Sequence, residues 1–279
     1  MLREEAATFA GVGTRTVVAD GEGPPKLVLL HGFADTAWTW QRLQRRLAEH
    51  GIGSIAVDQP GHGRADRTSP DRPLMDQMID FAHAVVGSLP SPPVVVGNSL
   101  GGAHSLLLAA RHPASVRGVV ALSPAAIDHP RWMSRAADRP DSMARVRRAR
   151  PARFVPPRVA GSMVGVVAFG NPLRVPAGMR DDWSRRLADP AFRASLRDMA
   201  MRLPAEYLTT PLPLADVKVP VLALWGDRDR LTSISSQAEM EREIADLEFV
   251  RLHRIGHMPQ VEVPGLTTKY VLRFLSRLG

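Results

Sequence analysis

The stretch Val94-Val95-Val96-Gly97-Asn98-Ser99-Leu100-Gly101 decides the fold of this chain of 279 residues. Val94–Gly97 is apolar and β-branched, which predicts a strand, and Leu100–Arg111 has the apolar spacing of a helix. Gly97–Gly101 between them fits G-x-S-x-G, where two glycines let the backbone turn sharply and present the serine above the C-terminal edge of a sheet. Two interpretations follow: Ser99 is a nucleophile, or it is an incidental residue of a tight turn.

Strands and helices alternate on both sides of this turn. The predicted strands are Arg15–Asp20, Lys26–Leu30, Ser54–Asp58, Val94–Gly97, Val116–Ser123, Val219–Gly226 and Leu247–Leu252. The predicted helices are Trp38–Glu49, Leu74–Leu89, Leu100–Arg111, Ser233–Ile244 and Pro264–Leu278. Such alternation predicts an α/β fold with a mostly parallel, doubly wound sheet that has helices on both faces.

The alternation breaks at about Ala126 and resumes at Val217, with Arg-rich helical segments and one apolar run, Met163–Phe169, in between. Insertions between core strands commonly become caps that carry function. We therefore expect residues 1–125 and 214–279 to form the α/β core and residues 126–213 to form a helical, Arg-rich cap. The apolar run fits an acyl pocket and the packing face of the cap equally well.

The composition excludes several classes of protein and site. There is no cysteine, so disulfides, zinc thiolate sites and a cysteine nucleophile are excluded. No apolar run reaches the roughly 18 residues of a transmembrane segment, and residues 1–5 lack the apolar core of a secretory signal, so a cytoplasmic location is expected. Because no phosphate-binding Gly-rich pattern and no metal-ligand spacing occurs, we predict neither a cofactor nor a metal.

The net charge of +8 is concentrated in the predicted cap, which holds 16 Arg and 8 acidic residues, whereas the rest of the chain is balanced. This excess fits a solvated helical face. It also fits a basic cap that attracts an anionic substrate, an acidic carrier or an anionic surface and directs it towards Ser99. Nucleic acid is not an expected partner, because no recognition motif or interleaved aromatic pattern accompanies the charge.

A serine nucleophile needs a base, and the base needs a carboxylate that holds it in one tautomer. In a strand–turn–helix architecture of this type the acid and the base follow the serine in that order. Asp227 and Asp229 follow the predicted strand Val219–Gly226, and His257 follows the last predicted strand. Open α/β sheets place their sites at such C-terminal strand ends, so the sequence predicts a triad of Ser99, one of the two aspartates and His257.

These residues resemble the landmarks of the α/β-hydrolase fold superfamily, in its capped serine hydrolase and esterase branch. In chain order the landmarks are His31-Gly32-Phe33, Asp58-Gln59-Pro60-Gly61-His62-Gly63, Gly97–Gly101, Gly226–Asp229 and Gly256-His257. The resemblance implies that Ser99 is the nucleophile and His257 the general base. It favours Asp229 over the competing Asp227, because the family acid lies three residues after the strand-end glycine.

The resemblance also implies an oxyanion hole formed by the backbone N–H groups of Phe33 and Leu100. The ring of Phe33, Asn98 before Ser99 and Met258 after His257 are the expected substrate contacts.

A serine at this turn excludes the dehalogenases and epoxide hydrolases of the superfamily, which carry aspartate there. The expected reaction is hydrolysis of a carboxylic ester, lactone or thioester of a small molecule through an acyl-enzyme. Asn98 is reminiscent of C–C bond hydrolases of ring-cleavage-type diketones, although those relatives have Trp after the catalytic His where this chain has Met258. A ligand receptor with slow hydrolysis is the other alternative.

Overall fold

The strands around Ser99 pair into one sheet. A computed structural model describes residues 1–127, 157–176, 178–209 and 211–279, and within these ranges eight strands lie in the order β1-β2-β4-β3-β5-β6-β7-β8. The strands β3 to β8 are parallel, whereas β1 pairs antiparallel with β2 and β2 antiparallel with β4. Their bounds are β1 Leu2–Phe9, β2 Val12–Ala19, β3 Leu27–Leu30, β4 Ser54–Val57, β5 Val94–Asn98, β6 Gly118–Leu122, β7 Val221–Gly226 and β8 Leu247–Leu252.

Helices connect the strands and cover the sheet. In the described ranges they are α1 Gln41–Ala48, α2 Leu74–Gly87, α3 Leu100–Arg111, α4 Pro157–Ala168, α5 Met179–Ala188, α6 Pro190–Thr209, α7 Ser236–Glu243, α8 Pro259–Glu262 and α9 Pro264–Leu278. The predicted α/β-hydrolase fold class is confirmed. The helix expected over Trp38–Glu49 starts as a 3₁₀ turn, Ala37–Trp40, and continues as α1.

Side chains of the central strands point alternately into two apolar layers. Val28, Leu30 and Val95 lie in the layer with α2 and α3, whereas Leu29 and Val96 lie in the layer with α1 and α9. All five are fully buried, which is the pattern of parallel strands covered on both faces. The polar residues that follow these strands are therefore confined to the strand ends, where the candidate site lies.

The first strand, β1, is outside the set of strands that the sequence predicts. It forms a hairpin with β2 through Ala10 and Gly11, whose φ angles of 49° and 78° are those of a tight hairpin turn. Its charged residues Arg3, Glu4 and Glu5 face solvent on an edge strand. Edge strands tolerate and often carry such charges, so the apolar alternation that identifies central strands is missing here.

Helices α4, α5 and α6 follow β6 and precede β7, within the predicted cap. Residues 128–156, 177 and 210 of that segment lie outside the described residues, so the cap boundaries at 126 and 213 stay predictions. Phe192, Leu196 and Met199 of α6 are buried in the same apolar layer as α2 and α3. Through α6, the inserted helices are anchored to the core by apolar packing.

Candidate active site

Ser99 occupies the turn between β5 and α3 in a backbone conformation that residues other than glycine rarely adopt, with φ 55° and ψ −117°. Its N–H donates to the carbonyl of Leu122 over 2.9 Å, and its carbonyl accepts from the N–H of Ala125 over 3.0 Å. Glycine is required at position 101, because a Cβ there would collide with the carbonyl of Leu30. Strain of this kind, held in place by the surrounding structure, clusters at functional sites.

Asp229 and His257 meet between the loops that follow β7 and β8. His257 Nδ1 lies 2.8 Å from Asp229 Oδ2, and the two side chains are only 6% and 1% exposed. The other carboxylate oxygen, Oδ1, accepts from the N–H groups of Leu231 and Thr232 over 2.8 and 3.0 Å. The main chain thus orients the carboxylate, and the carboxylate orients the imidazole, which leaves Nε2 as the nitrogen that can take a proton.

Asp229 is kept ionised by its partners. Burial acts to raise the pKa of this carboxyl, but the hydrogen bond and attraction from His257, with the N–H groups of Thr232 and Leu231, hold the pKa below its usual value. The hydroxyl of Thr232 also donates to Asp229 Oδ2 over 2.8 Å and lies 3.4 Å from His257 Nδ1. Thr232 is a contact that sequence reasoning missed, since a threonine three residues after an aspartate has no distinctive pattern.

Asp227, the competing acid, is engaged elsewhere. Its Oδ2 lies 2.9 Å from Nδ1 of His253, an exposed side chain, and its Oδ1 accepts from the N–H of Arg254 over 2.6 Å. These contacts join the two loops after β7 and β8 on the outside of the molecule. Of the two aspartates, Asp229 is therefore the one within hydrogen-bond distance of His257.

Asn98, the residue before Ser99, connects the serine turn to the histidine loop. Its Nδ2 donates to the carbonyl of His257 over 2.9 Å and to that of Leu122 over 3.0 Å, while its Oδ1 accepts from Gln260 over 3.1 Å. Asn98 was expected to contact substrate, but it is 2% exposed and both ends of its amide bind protein groups. Asn98 thus joins the Ser99 turn to the His257 loop, and its predicted contact with substrate stays a prediction.

Ser99 Oγ itself forms no hydrogen bond with another residue in the described ranges. Catalytic hydrogen bonds of unliganded enzymes often tighten only around a substrate. Ser99 and His257 follow strands that end at the same sheet edge, and Asn98 joins their two segments.

The loop after β3 passes beside Ser99. A Cβ on Gly32 would lie 3.1 Å from the Cβ of Ser99, and Phe33 follows with a side chain that is 39% exposed. Leu100 begins α3, and the N–H groups of a first helical turn have no acceptor within the helix. Of the two residues predicted to form the oxyanion hole, Leu100 directly follows Ser99, and Phe33 follows the glycine that packs against Ser99. Their role stays a prediction.

Helix α5 contacts this loop through Arg186. Its Nη1 donates to the carbonyl of Ala34 over 2.9 Å, and its guanidinium is paired with Asp35 at 3.6 Å and Asp182 at 2.9 Å. Ala34 has a φ of 62°, so the loop is held in a strained turn directly after Phe33. The inserted helices thereby support one of the two predicted oxyanion donors.

A buried carboxylate, Glu262, joins the inserted helices to the histidine loop. Its Oε2 accepts from the N–H groups of Gly170 and Gly256, both over 3.0 Å, and Oε1 lies 3.5 Å from Arg174. The two glycines touch through their backbones, since a Cβ on Gly170 would lie 2.7 Å from the nitrogen of Gly256. Because His257 follows Gly256 and donates its own N–H to Ala168 over 2.8 Å, the position of the histidine depends on this contact.

Three further histidines lie buried behind the Phe33 loop. His31 Nδ1 donates to the carbonyl of Gly32 over 2.7 Å and His104 Nδ1 donates to Gln59 Oε1 over 2.7 Å, while His62 packs edge-on against His31. Burial lowers the pKa of His31, lowers that of His62 well below its usual value, and lowers that of His104 to about 3. These histidines are neutral at pH 7 and organise the loops through these contacts.

Met258 is 5% exposed and belongs to an apolar cluster with Phe169, Trp183 and Val261. Its predicted contact with substrate stays a prediction. The apolar run Met163–Phe169 is divided between two environments: Phe169 is fully buried, whereas Met163 is 56% exposed.

Within the described ranges, no cluster of three or more His, Asp or Glu side chains has an arrangement that could hold a metal ion. No helix in these ranges is long and apolar enough to cross a membrane.

Comparison with known proteins matches the profile of the alpha/beta hydrolase family to residues 27–268. A 2-(acetamidomethylene)succinate hydrolase from Mesorhizobium japonicum is 26% identical over 94% of this chain and 92% of its own. A pimeloyl-[acyl-carrier protein] methyl ester esterase from Nitrosospira multiformis is 28% identical over 91% of this chain and 95% of its own. Among solved structures, a 2-hydroxy-6-oxo-6-phenylhexa-2,4-dienoate hydrolase from a Rhodococcus strain superposes with a TM-score of 0.81 at 20% identity, covering 99% of each chain.

Proposed function

The chain belongs to the alpha/beta hydrolase family, and from that premise we propose that it is a serine hydrolase that cleaves a carboxylic ester, lactone or thioester of a small molecule. Ser99 is the proposed nucleophile, His257 the general base and Asp229 the acid. The observation that carries the proposal is the 2.8 Å contact between His257 Nδ1 and a buried, ionised Asp229, at the sheet edge where Ser99 occupies a strained turn. The full-length similarity to an esterase supports the choice of ester chemistry.

The proposed reaction has two halves. Ser99 Oγ attacks the acyl carbonyl carbon while His257 Nε2 takes the hydroxyl proton, and Asp229 stabilises the imidazolium through Nδ1. The N–H groups of Phe33 and Leu100 donate to the oxyanion, and the leaving alcohol or thiol departs with the proton from His257. A water molecule then loses its proton to His257 and attacks the acyl-enzyme, which releases the acid and regenerates Ser99.

We propose that anionic acyl compounds are the preferred substrates. The described part of the insertion carries eight Arg against five acidic residues, and such a field raises the local concentration of anions. Since screening acts over about 8 Å at physiological ionic strength, kcat/KM for an anionic ester should fall as salt rises, while kcat/KM for a neutral ester of equal size should stay constant. Equal salt profiles for the two esters would refute the preference.

C–C bond hydrolysis is less well supported, because the feature that suggested it, Asn98, binds protein groups at both ends of its side chain. A panel of p-nitrophenyl esters of increasing chain length, lactones, acyl thioesters and vinylogous diketones tests the choice. Ester turnover above background with no cleavage of the diketones is expected.

A fluorophosphonate probe tests the nucleophile directly. The probe should label the folded wild type and fail to label Ser99→Ala, and turnover should fall by about a millionfold in Ser99→Ala or His257→Ala. Labelling that persists in Ser99→Ala would refute the assignment. Turnover at background level together with tight ligand binding would point to a receptor instead.

A further inference from the structure

The outer side of α4 is apolar and exposed. In the part of the chain that the structure describes, eight large hydrophobic side chains are exposed, and five of them lie on α4 or in loops next to it: Val159, Met163, Val166, Leu173 and Leu231. Three of these are spaced by four and three residues along α4, so they form one face of the helix. A surface helix normally carries charged or polar side chains on such a face, whereas α4 has a single charged residue among its twelve.

The packing of α4 on the rest of the molecule uses its other side. Gly161 is pressed against Ser184 of α5, where a Cβ would lie 2.9 Å from the carbonyl of Arg180, and Gly165 is pressed against Val175. Val164 packs against the cluster that contains Phe169. The inner face therefore accounts for the docking of α4, and the apolar outer face is not needed for it.

Arginines surround the C-terminal end of α4. Arg230 donates to the carbonyl of Val166 over 2.7 Å, Arg228 to that of Gly170 over 3.4 Å and Arg180 to that of Pro172 over 3.1 Å. Cations at this end stabilise the helix, whose last carbonyls carry partial negative charge. Arg230 is thereby adjacent to Val166 of the apolar face, and Arg228 and Arg180 lie at the loop that follows the helix.

We propose that this combined surface docks on an anionic lipid surface. It consists of Val159, Met163, Val166 and Leu231 with Arg180, Arg228 and Arg230, and is called the α4 surface below. Apolar side chains of an interfacial helix enter the boundary between headgroups and acyl chains, while adjacent basic residues bind the anionic headgroups. Guanidinium groups suit this role because they bind phosphate oxygens in pairs.

A second copy of the chain is a poorer occupant of the α4 surface. A two-fold interface brings the same patch of both subunits together, so two patches that each carry three arginines would meet, and their like charges would repel. An acidic protein would satisfy the arginines and leave the apolar face against polar groups. The lipid surface satisfies both parts of the patch.

The α4 surface adjoins the proposed acid. Leu231 is two residues from Asp229, and its N–H donates to Asp229 Oδ1 over 2.8 Å. Docking would therefore hold the loop that carries the proposed acid against the lipid layer. This consequence rests on the proposed function, whereas docking itself does not.

Vesicle sedimentation tests docking separately from catalysis. Full-length Ser99→Ala protein, which cannot consume the lipid by the proposed mechanism, is mixed with phosphatidylcholine vesicles with or without phosphatidylglycerol. We expect it to sediment with the anionic vesicles only, and less at high salt. Adding Met163→Glu or Val166→Glu should lower the partition coefficient by about tenfold or more, roughly 1.4 kcal/mol, because each places a charge in the apolar face. Leu266→Glu, at an exposed leucine of α9, is the matched control and should leave partition unchanged.

Three results would overturn the proposal. The first is no binding to anionic vesicles, and the second is binding that neither α4 variant reduces. The third is a dimer, measured by light scattering, that the α4 variants dissociate while vesicle binding persists, since this would assign the α4 surface to a second copy. With Ser99 intact, both α4 variants should hydrolyse a soluble short-chain ester at the wild-type rate, which shows that they are folded. If the proposed function fails instead, the wild type will lack ester turnover while its vesicle binding remains.

Discussion

The side-chain amide of Asn98 donates to the main-chain carbonyl oxygen of His257, 2.9 Å away, across 159 positions of the sequence. This bond ties the turn that carries the proposed nucleophile to the loop that carries the proposed base. One buried amide, which Gln260 holds from its other side, therefore links the two segments directly.

Replacing Asn98 with the isosteric leucine should lower both activity and stability. The carbonyl of His257 loses its side-chain donor and the amide of Gln260 loses its acceptor, which costs about 1–3 kcal/mol of unfolding free energy. A displacement of His257 by about 1 Å costs up to roughly a hundredfold in kcat. The KM should change little. Gln44→Met is the matched control: Gln44 is a fully buried amide that donates to the carbonyl of Val17 over 2.9 Å. It should lose stability and keep kcat, and an equal loss of kcat in both variants would contradict the positioning role.

Asp229→Asn should reduce kcat by roughly ten-thousandfold, because the imidazole loses its orienting carboxylate and favours the wrong tautomer. Asp227→Asn makes the same chemical change two residues away, where the carboxylate contacts His253 and Arg254. It should keep kcat close to wild type. Steady-state kinetics with a p-nitrophenyl ester measure both, and a dead Asp227→Asn enzyme would reassign the acid.

Glu262→Gln should loosen the histidine loop. The amide keeps one acceptor oxygen but turns a donor towards the N–H groups that Glu262 now binds, so we expect a loss of about 1–3 kcal/mol in unfolding free energy. The kcat should fall by about tenfold or more as His257 moves. Glu206→Gln is the matched control, since Glu206 accepts from the N–H groups of Leu74 and Met75, each over 2.8 Å, far along the chain from the histidine loop.

The comparison is made on protein whose active fraction has been titrated with a fluorophosphonate, so that partial unfolding does not count as lost activity. If Glu262→Gln retains wild-type kcat per titrated site, the contact is structural only.

Arg186→Gln should impair the reaction through the oxyanion loop. The substitution removes the donor to Ala34 and the buried partner of Asp35, next to a predicted oxyanion donor whose full loss is worth about a hundred- to thousandfold. We expect a partial effect on kcat, about tenfold, with little change in KM. Arg185→Gln, the neighbouring arginine whose side chain is 77% exposed, should have no effect. Rescue of kcat in Arg186→Lys, which keeps one donor, is expected, and a change in KM alone would point to substrate binding instead.

Acid should destabilise the fold through its buried histidines. Burial, with repulsion from His31, lowers the pKa of His104 to about 3, against 6.5 for an ordinary histidine. Between these values the unfolded chain binds a proton that the folded chain does not, so stability is present above pH 6.5 and falls as the pH drops. One such group contributes a slope of about 1.4 kcal/mol per pH unit.

Urea unfolding of wild type and His104→Asn at several pH values between 7.5 and 4.5 measures this slope. In the variant, the number of protons taken up on unfolding should be smaller by about one, so its free energy of unfolding should depend less on pH. The control His50→Asn, at an exposed histidine, should show the same pH dependence as the wild type. Equal slopes for wild type and His104→Asn would show that His104 does not titrate as its burial requires.

Much of the scaffold follows from local patterns. The bounds of α3, β8 and α9 agree with the predicted segments Leu100–Arg111, Leu247–Leu252 and Pro264–Leu278, because buried parallel strands and amphipathic helices have distinct apolar periods. Ser99, Asp229 and His257 could be proposed as a triad because each follows a strand in the required order. The edge strand β1 could not, because its charged, exposed residues lack the apolar alternation of a strand.

What the sequence determined by itself is the alternation of elements, the residues at the strand ends and hence the chemistry they can carry. Only the tertiary structure decided which aspartate meets His257, that Asn98 binds protein groups, and that Glu262 joins Gly170 to Gly256. The physical reason is distance along the chain. Propensity and turn chemistry act over a few residues, whereas Glu262 and Gly170 are 92 positions apart, and their contact exists only once the inserted helices and the last strand have packed.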